Sequence, residues 1–172
     1  MRIQIIGYSG SGKSTLAERL GEVYGLPVLH LDAVQFYGNW QERSLAEQNA
    51  LVQAFLQEHE GWVIDGNYAR VCPQRFAMAD VCLFLDVARL PCLWGCLRRW
   101  WHYRGKTRPS VGCEEKFDAE FLRWILLDGR TKAQRAGHEA HLAAAKHGVR
   151  LRTRREIDAY VAGLKSGAGA AK

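Results

Sequence analysis

Residues 7–14, Gly-Tyr-Ser-Gly-Ser-Gly-Lys-Ser, fit the pattern G-x-x-x-x-G-K-[ST] without a mismatch, and no other feature of the 172-residue chain constrains its fold as strongly. The pattern works in one setting, a turn that leaves a strand and enters a helix whose N-terminus faces a phosphate. The flanks supply that setting. Residues 2–6 (RIQII) are a short β-rich run, and Leu16, Leu20 and Val23 share one helical face after the glycines. Glycine at these positions lets successive backbone N–H groups turn inward without Cβ clashes. A nucleotide is therefore expected over Gly7, Ser9, Gly10, Ser11, Gly12, Lys13, Ser14 and Thr15. Lys13 would reach the β and γ phosphates, the Ser14 hydroxyl would ligate Mg²⁺, and Thr15 would lie by the α phosphate.

The rest of the chain alternates strand and helix. A second strand is predicted over Val28–Leu31, ending at Asp32, and a helix over Ser44–His59, opened by a capping box of Ser44 and Glu47. A third strand, Gly61–Asp65, follows. After a short connection over 66–79, the run VCLFLD at 81–86 suits a strand buried on both faces of a parallel sheet. Leu90–Tyr103 reads as an aromatic, basic helix, and 105–117, with two glycines and a proline, as an irregular excursion. Helices over Asp118–Leu127 and Lys132–Lys146, a strand over Val149–Arg152, a helix over Glu156–Leu164 and a frayed tail complete the pattern. Such alternation implies right-handed crossovers and an α/β fold, a three-layer α/β/α sandwich on a five-stranded parallel sheet. One domain, 1–172, is expected, with a small helical lid inserted at about 104–117.

The charge is uneven. There are 24 basic and 18 acidic residues, yet no acid lies between Asp86 and Glu114, where Arg89, Arg98, Arg99, Arg104, Lys106 and Arg108 fall. Removing those six leaves 18 against 18, so the excess marks one focused anion site. Phosphoryl transfer needs cations over its equatorial oxygens, and Arg98, Arg104 and Arg108 are the candidates, carried by a lid that closes over nucleotide. A solvated basic face is the plainer alternative. The same segment suits a nucleic-acid surface, because Trp94, Trp100, Trp101 and Tyr103 interleave with the arginines. The five cysteines show no C-x-x-C pair and read as reduced thiols, although Cys92, Cys96, His102 and Cys113 could make a Cys₃His site. No apolar run is long enough to span a membrane, and no export signal is present, so the cytoplasm is the expected compartment. The sequence carries no signal for oligomeric state.

Three aspartates stand where strands are predicted to end. Asp32 either takes the acceptor's proton, holds the metal or caps a helix, and Asp65, closing WVID, is placed as the carboxylate that holds Mg²⁺ through water or as a turn residue before Gly66. Asp86 leads straight into a helix, and a capping role weighs at least as much there as catalysis.

In order and spacing, GYSGSGKST, HLD (30–32), Trp40, WVIDGNY (62–68), FLD (84–86), RP (108–109) and GCEEKFDAEFLRWI (112–125) resemble the bacterial DNA topology modulation protein family, a branch of the adenylate-kinase-related P-loop kinases. The resemblance covers roughly residues 1–128. It implies a sheet of order 2-3-1-4-5, an ATP site at 7–15 and a lid near 104–117. Asp65-Gly66 resembles the D-G of nucleoside-monophosphate kinases, but Asn67-Tyr68 replace the proline and arginine that follow there. The function expected is transfer of the γ-phosphoryl group of Mg·ATP to a small, nucleotide-like acceptor, with Asp32 positioning the acceptor. Arg43, Arg70 and Arg75 are available to bind a phosphate on it. The alternative is an ATP-dependent nucleic-acid-binding regulator of DNA topology. A GTPase lacks its N-K-x-D here, and no ABC signature occurs.

Overall fold

The computed structural model describes residues 1–37, 40–108, 110–111, 113–114 and 117–169; at 107, 108, 113, 114 and 165–169 it describes the backbone alone. Strand β1 (Arg2–Gly7) is buried almost throughout and hands over to α1 (Lys13–Tyr24) through the glycine-rich turn. β2 (Val28–His30) is followed at once by α2 (Leu31–Gln35) and then α3 (Leu45–Glu58). The predicted capping box forms: Ser44 Oγ accepts from Glu47 N, and the Glu47 carboxylate accepts from Ser44 N at 2.9 Å. β3 (Trp62–Asp65), α4 (Gln74–Met78) and β4 (Val81–Leu85) come next, then α5 (Arg89–Tyr103). The short antiparallel pair β5 (Thr107–Arg108) and β6 (Cys113–Glu114) leads into α6 (Ala119–Leu126), α7 (Lys132–Ala144), β7 (His147–Leu151) and α8 (Arg154–Gly169).

The main sheet is parallel in the order β2-β3-β1-β4-β7, which is 2-3-1-4-5 once its own strands are counted. α1 packs on α8, and α4 on α7, giving the expected layers of helix on both faces. Ile5, Ile6, Leu83, Phe84 and Leu85 are fully buried between them. Strands covered on both sides have no polar alternation, which is why these runs read as continuously apolar.

Five predicted readings shift. The second strand stops at His30, and Asp32 lies in the first turn of α2 instead of closing a strand. The connection 66–79 contains α4, and 105–117 carries the β5–β6 pair. β7 begins at His147, and α8 spans 154–169, into the tail expected to fray.

One guanidinium sits inside the core. Arg75 has no exposed surface; its Nε donates to Gln4 Oε1 at 3.0 Å, one terminal nitrogen to Val71 O and Cys72 O, and the other to Tyr68 O at 3.1 Å. Burial lowers its pKa to about 10, so it stays charged at neutral pH. Gln4 in turn donates to Gly66 O at 3.1 Å. Buried polar groups are tolerated when their partners are complete, and these hold the loop after β3 in one shape.

Candidate active site

The phosphate loop is held by backbone contacts that only glycine permits. Gly10 has φ +74°, and a Cβ there would stand 2.1 Å from the Cys92 carbonyl oxygen of α5. A Cβ on Gly95 would fall 2.4 Å from Gly10 O, so α5 lies directly against the loop. On the other side, the Asn67 side chain accepts from Gly7 N at 2.9 Å and donates to Gly7 O at 2.8 Å. Lys13 Nζ donates to Tyr8 O at 3.2 Å, arching over the loop. The N-terminal N–H groups of α1 have no side-chain cap, as an anion-binding helix end requires. The Ser11 hydroxyl is buried with no hydrogen-bond partner.

Asp65 closes β3 as predicted, level with Ile5 of β1, and is buried. Its Oδ2 is 3.0 Å from His30 Nδ1. Burial raises its pKa, but hydrogen bonds from His30 and Ser14 and the charge of Lys13 outweigh that and keep the carboxyl below its usual range. Its Oδ1 is buried and unpartnered. A carboxylate and a hydroxyl side by side, one oxygen still lacking a partner, form a donor set suited to Mg²⁺. The residues present therefore fit the metal. Among the described residues no group of three His, Cys, Asp or Glu is arranged to hold a metal ion. Cys72, Cys82, Cys92 and Cys96 are buried free thiols, and burial pushes that of Cys82 up to about 12.

Lys13 and Ser14 open on a cleft of about 1750 Å³, ample for a nucleotide and a second small molecule. Ser9, Gly10, Gly12, Lys13, Ser14 and Thr15 line it, with Asp32 from α2 across from them. Asp32 Oδ1 accepts from the Tyr68 hydroxyl at 2.7 Å. Arg98 and Arg99 of α5 also face the cleft. Arg104 lies instead over the Trp100 ring, 5.2 Å from its centroid, outside the lining, and the Arg108 side chain is outside the described residues.

The three cations assigned to the acceptor do other things. Arg75 is the buried guanidinium described above, and Arg43 donates to the carbonyls of Ala33, at 2.8 Å, and Val34, at 3.0 Å, closing the end of α2. Arg70 is exposed and outside the cleft lining. Asp86 is no cap either: the N-cap position of α5 is Ala88, with no side-chain cap, and Asp86 pairs with Arg135 at 3.2 Å and Arg150 at 4.0 Å. Trp94 and Trp101, at helical spacing, are 69% and 74% exposed, so they do not pack on the core.

Sequence reading missed Arg154, His138 and Arg130. Arg154, the first residue of α8, donates to Gly10 O at 2.7 Å, and its guanidinium fills the space beside Gly12 where a Cβ would clash. His138 of α7 lines the cleft and packs edge-on against Tyr8 with centroids 5.5 Å apart. Burial and the charge of Lys13 lower its pKa to about 4, so it is neutral. Arg130 lies over the Tyr8 ring, 3.8 Å from its centroid. All three lie more than a hundred residues from the loop they touch, and no spacing signals such contacts.

No family model and no curated protein matches the chain. Among solved structures, it is similar to shikimate kinase from Acinetobacter baumannii in complex with shikimate, with a TM-score of 0.60 and 14% identity over 99% of this chain and 94% of that one. It is also similar to deoxyadenosine kinase from M. mycoides with bound dATP, with a TM-score of 0.57 and 12% identity over 98% and 100%. At such identity the likeness is one of fold. The narrower resemblance to topology modulation proteins gains no support from family models. The chain has the P-loop kinase fold of these neighbours, a five-stranded parallel sheet of order 2-3-1-4-5 with helices on both faces.

Proposed function

We propose that the protein is a phosphotransferase that moves the γ-phosphoryl group of Mg·ATP to a hydroxyl of a small acceptor. One observation carries the reading: Lys13 and Ser14 face the same cleft as Asp32, and the buried Asp65 carboxylate, with one oxygen unpartnered, lies within reach of both at the end of β3. Phosphoryl transfer depends almost wholly on positioning and charge neutralisation, and these residues supply both. The backbone N–H groups of the loop and the start of α1 hold the β and γ phosphates, Lys13 exchanges Tyr8 O for a phosphate oxygen, and Thr15 takes the α phosphate. Ser14 and Asp65 would hold Mg²⁺, which would supply charge neutralisation at the phosphates.

Asp32 meets the acceptor hydroxyl. The Tyr68 hydrogen bond holds the carboxylate at the cleft, where it would orient that group and take its proton. Arg98 faces the transferring group, whereas Arg104 and Arg108 would serve only if the 104–117 segment brought them over the cleft. Transfer of label from Mg·ATP to a panel of small hydroxylated compounds, run beside Lys13→Ala, tests the reading. Transfer lost in the variant is expected; transfer retained overturns it.

A further inference from the structure

The two oxygens of the Asp65 carboxylate are not equivalent. Oδ2 lies 3.0 Å from His30 Nδ1, whereas Oδ1 is buried with no hydrogen-bond partner. The asymmetry comes from the neighbouring strand. In the sheet Asp65 is level with Ile5 of β1 and His30 of β2, and of these two side chains only the histidine can donate a hydrogen bond. His30 is the last residue of β2, with α2 starting at Leu31, so the fold delivers its imidazole to the carboxyl edge of the sheet. There its side chain is 17% exposed, against 5% for that of Asp65.

The chemistry of the pair decides where the proton sits. Asp65 is held ionised, and a carboxylate only accepts, so Nδ1 carries the hydrogen and donates it. Glu18 Oε1 of α1 stands 3.9 Å from the other ring nitrogen, Nε2, beyond hydrogen-bond distance. The terminal torsion of an aspartate is broad and nearly two-fold, so nothing within Asp65 selects one oxygen over the other. The N–H of His30 makes that selection. Carboxylates that bind metal are commonly oriented by a donor behind them, and loss of such a donor costs about 10–100-fold in metal affinity.

We infer that His30 is a positioning residue for the metal carboxylate: its Nδ1–H holds Asp65 Oδ2 and so keeps Oδ1 for the divalent cation of Mg·ATP. The inference rests on the phosphotransferase reading and deepens it. His30 is not among the residues that line the cleft, so its effect passes through Asp65. It serves the affinity for metal, while the hold on the nucleotide falls to the loop backbone and Lys13.

His30→Asn and His30→Gln separate position from polarity, because the amide N–H of asparagine stands near the place of Nδ1 and that of glutamine near the place of Nε2. For the full chain and both variants, AMP-PNP affinity is measured by calorimetry in EDTA and again in saturating Mn²⁺, which takes the same oxygen ligands as Mg²⁺. The ratio of the two is the gain from metal. His30→Gln is expected to cut that gain about tenfold, with affinity in EDTA within about twofold of the unaltered chain, whereas His30→Asn keeps the gain within about threefold. A pair that only braces the sheet would lower the thermal midpoint and both affinities together, in both variants. That pattern, or an undiminished gain in His30→Gln, overturns the inference. An unaltered chain that binds AMP-PNP with no gain from Mn²⁺ removes the role of His30 and Asp65 and leaves nucleotide binding in place. No binding of AMP-PNP under either condition strikes at the phosphotransferase reading itself.

Discussion

At the proposed donor end of the cleft the wall is main chain: glycine carbonyls and N–H groups pressed against α5, with side chains added at the margins. On the Asp32 side, the proposed acceptor end, the wall is side chain, and it hangs on one relay that starts in the core. Arg75 holds Tyr68 O, the Tyr68 hydroxyl holds Asp32, and Gln4 anchors Arg75 from the central strand. A site of backbone tolerates almost no change at its glycines and much change around them. A site of relayed side chains can be altered from a distance, by a residue that never meets the ligand.

Lys13→Ala should cut transfer by about 10²–10³-fold, as losing one preorganised donor does, with the thermal midpoint unchanged. A comparable loss of fold would show that the lysine also holds the loop through Tyr8. Arg75→Leu should cost about 3 kcal/mol of stability in denaturant titration, because it strands Gln4 and several carbonyls in the core. In protein that remains folded, acceptor affinity should fall while nucleotide affinity holds. Equal loss of both would merge the two ends into one unit. Arg154→Ala should weaken nucleotide binding about fivefold, the worth of one partly exposed hydrogen bond, and leave acceptor KM in place.

The smallest expected effect is on pH. His138 titrates near 4 in the fold against an ordinary 6.5, so the fold disfavours its charged form. Its contribution is intact above about 6.5 and is lost as pH falls from there toward 4. His138→Phe should flatten that acid limb in thermal midpoints taken at several pH values. An unchanged limb would assign the acid sensitivity to other groups.

The two ends also differ in how far they could be read from the sequence. The phosphate loop was legible because a main-chain site imposes fixed spacing, and Asp65 was legible because it ends a continuous apolar run. Asp32 reads from the sequence as the end of a strand but lies in a helix: a strand of three residues followed at once by a helix of five leaves no period to detect. Arg43 and Arg75 were taken for ligand-facing cations because charge invites that reading, whereas their partners are carbonyl oxygens that every residue carries. Arg154 and His138 reach the site only through tertiary packing.

Asn67 gives to Gly7 one N–H and one C=O, the same pair of groups that a residue of a neighbouring strand would give. Its side-chain amide is in effect a borrowed peptide unit, adding a rung to the sheet just beyond the last residue of β3. Aspartate there would lack the donor and glutamine would overshoot by a methylene. An asparagine two residues after a strand-ending aspartate is therefore a spelling by which chains with this loop support can be sought, even where the acceptor wall has changed beyond recognition.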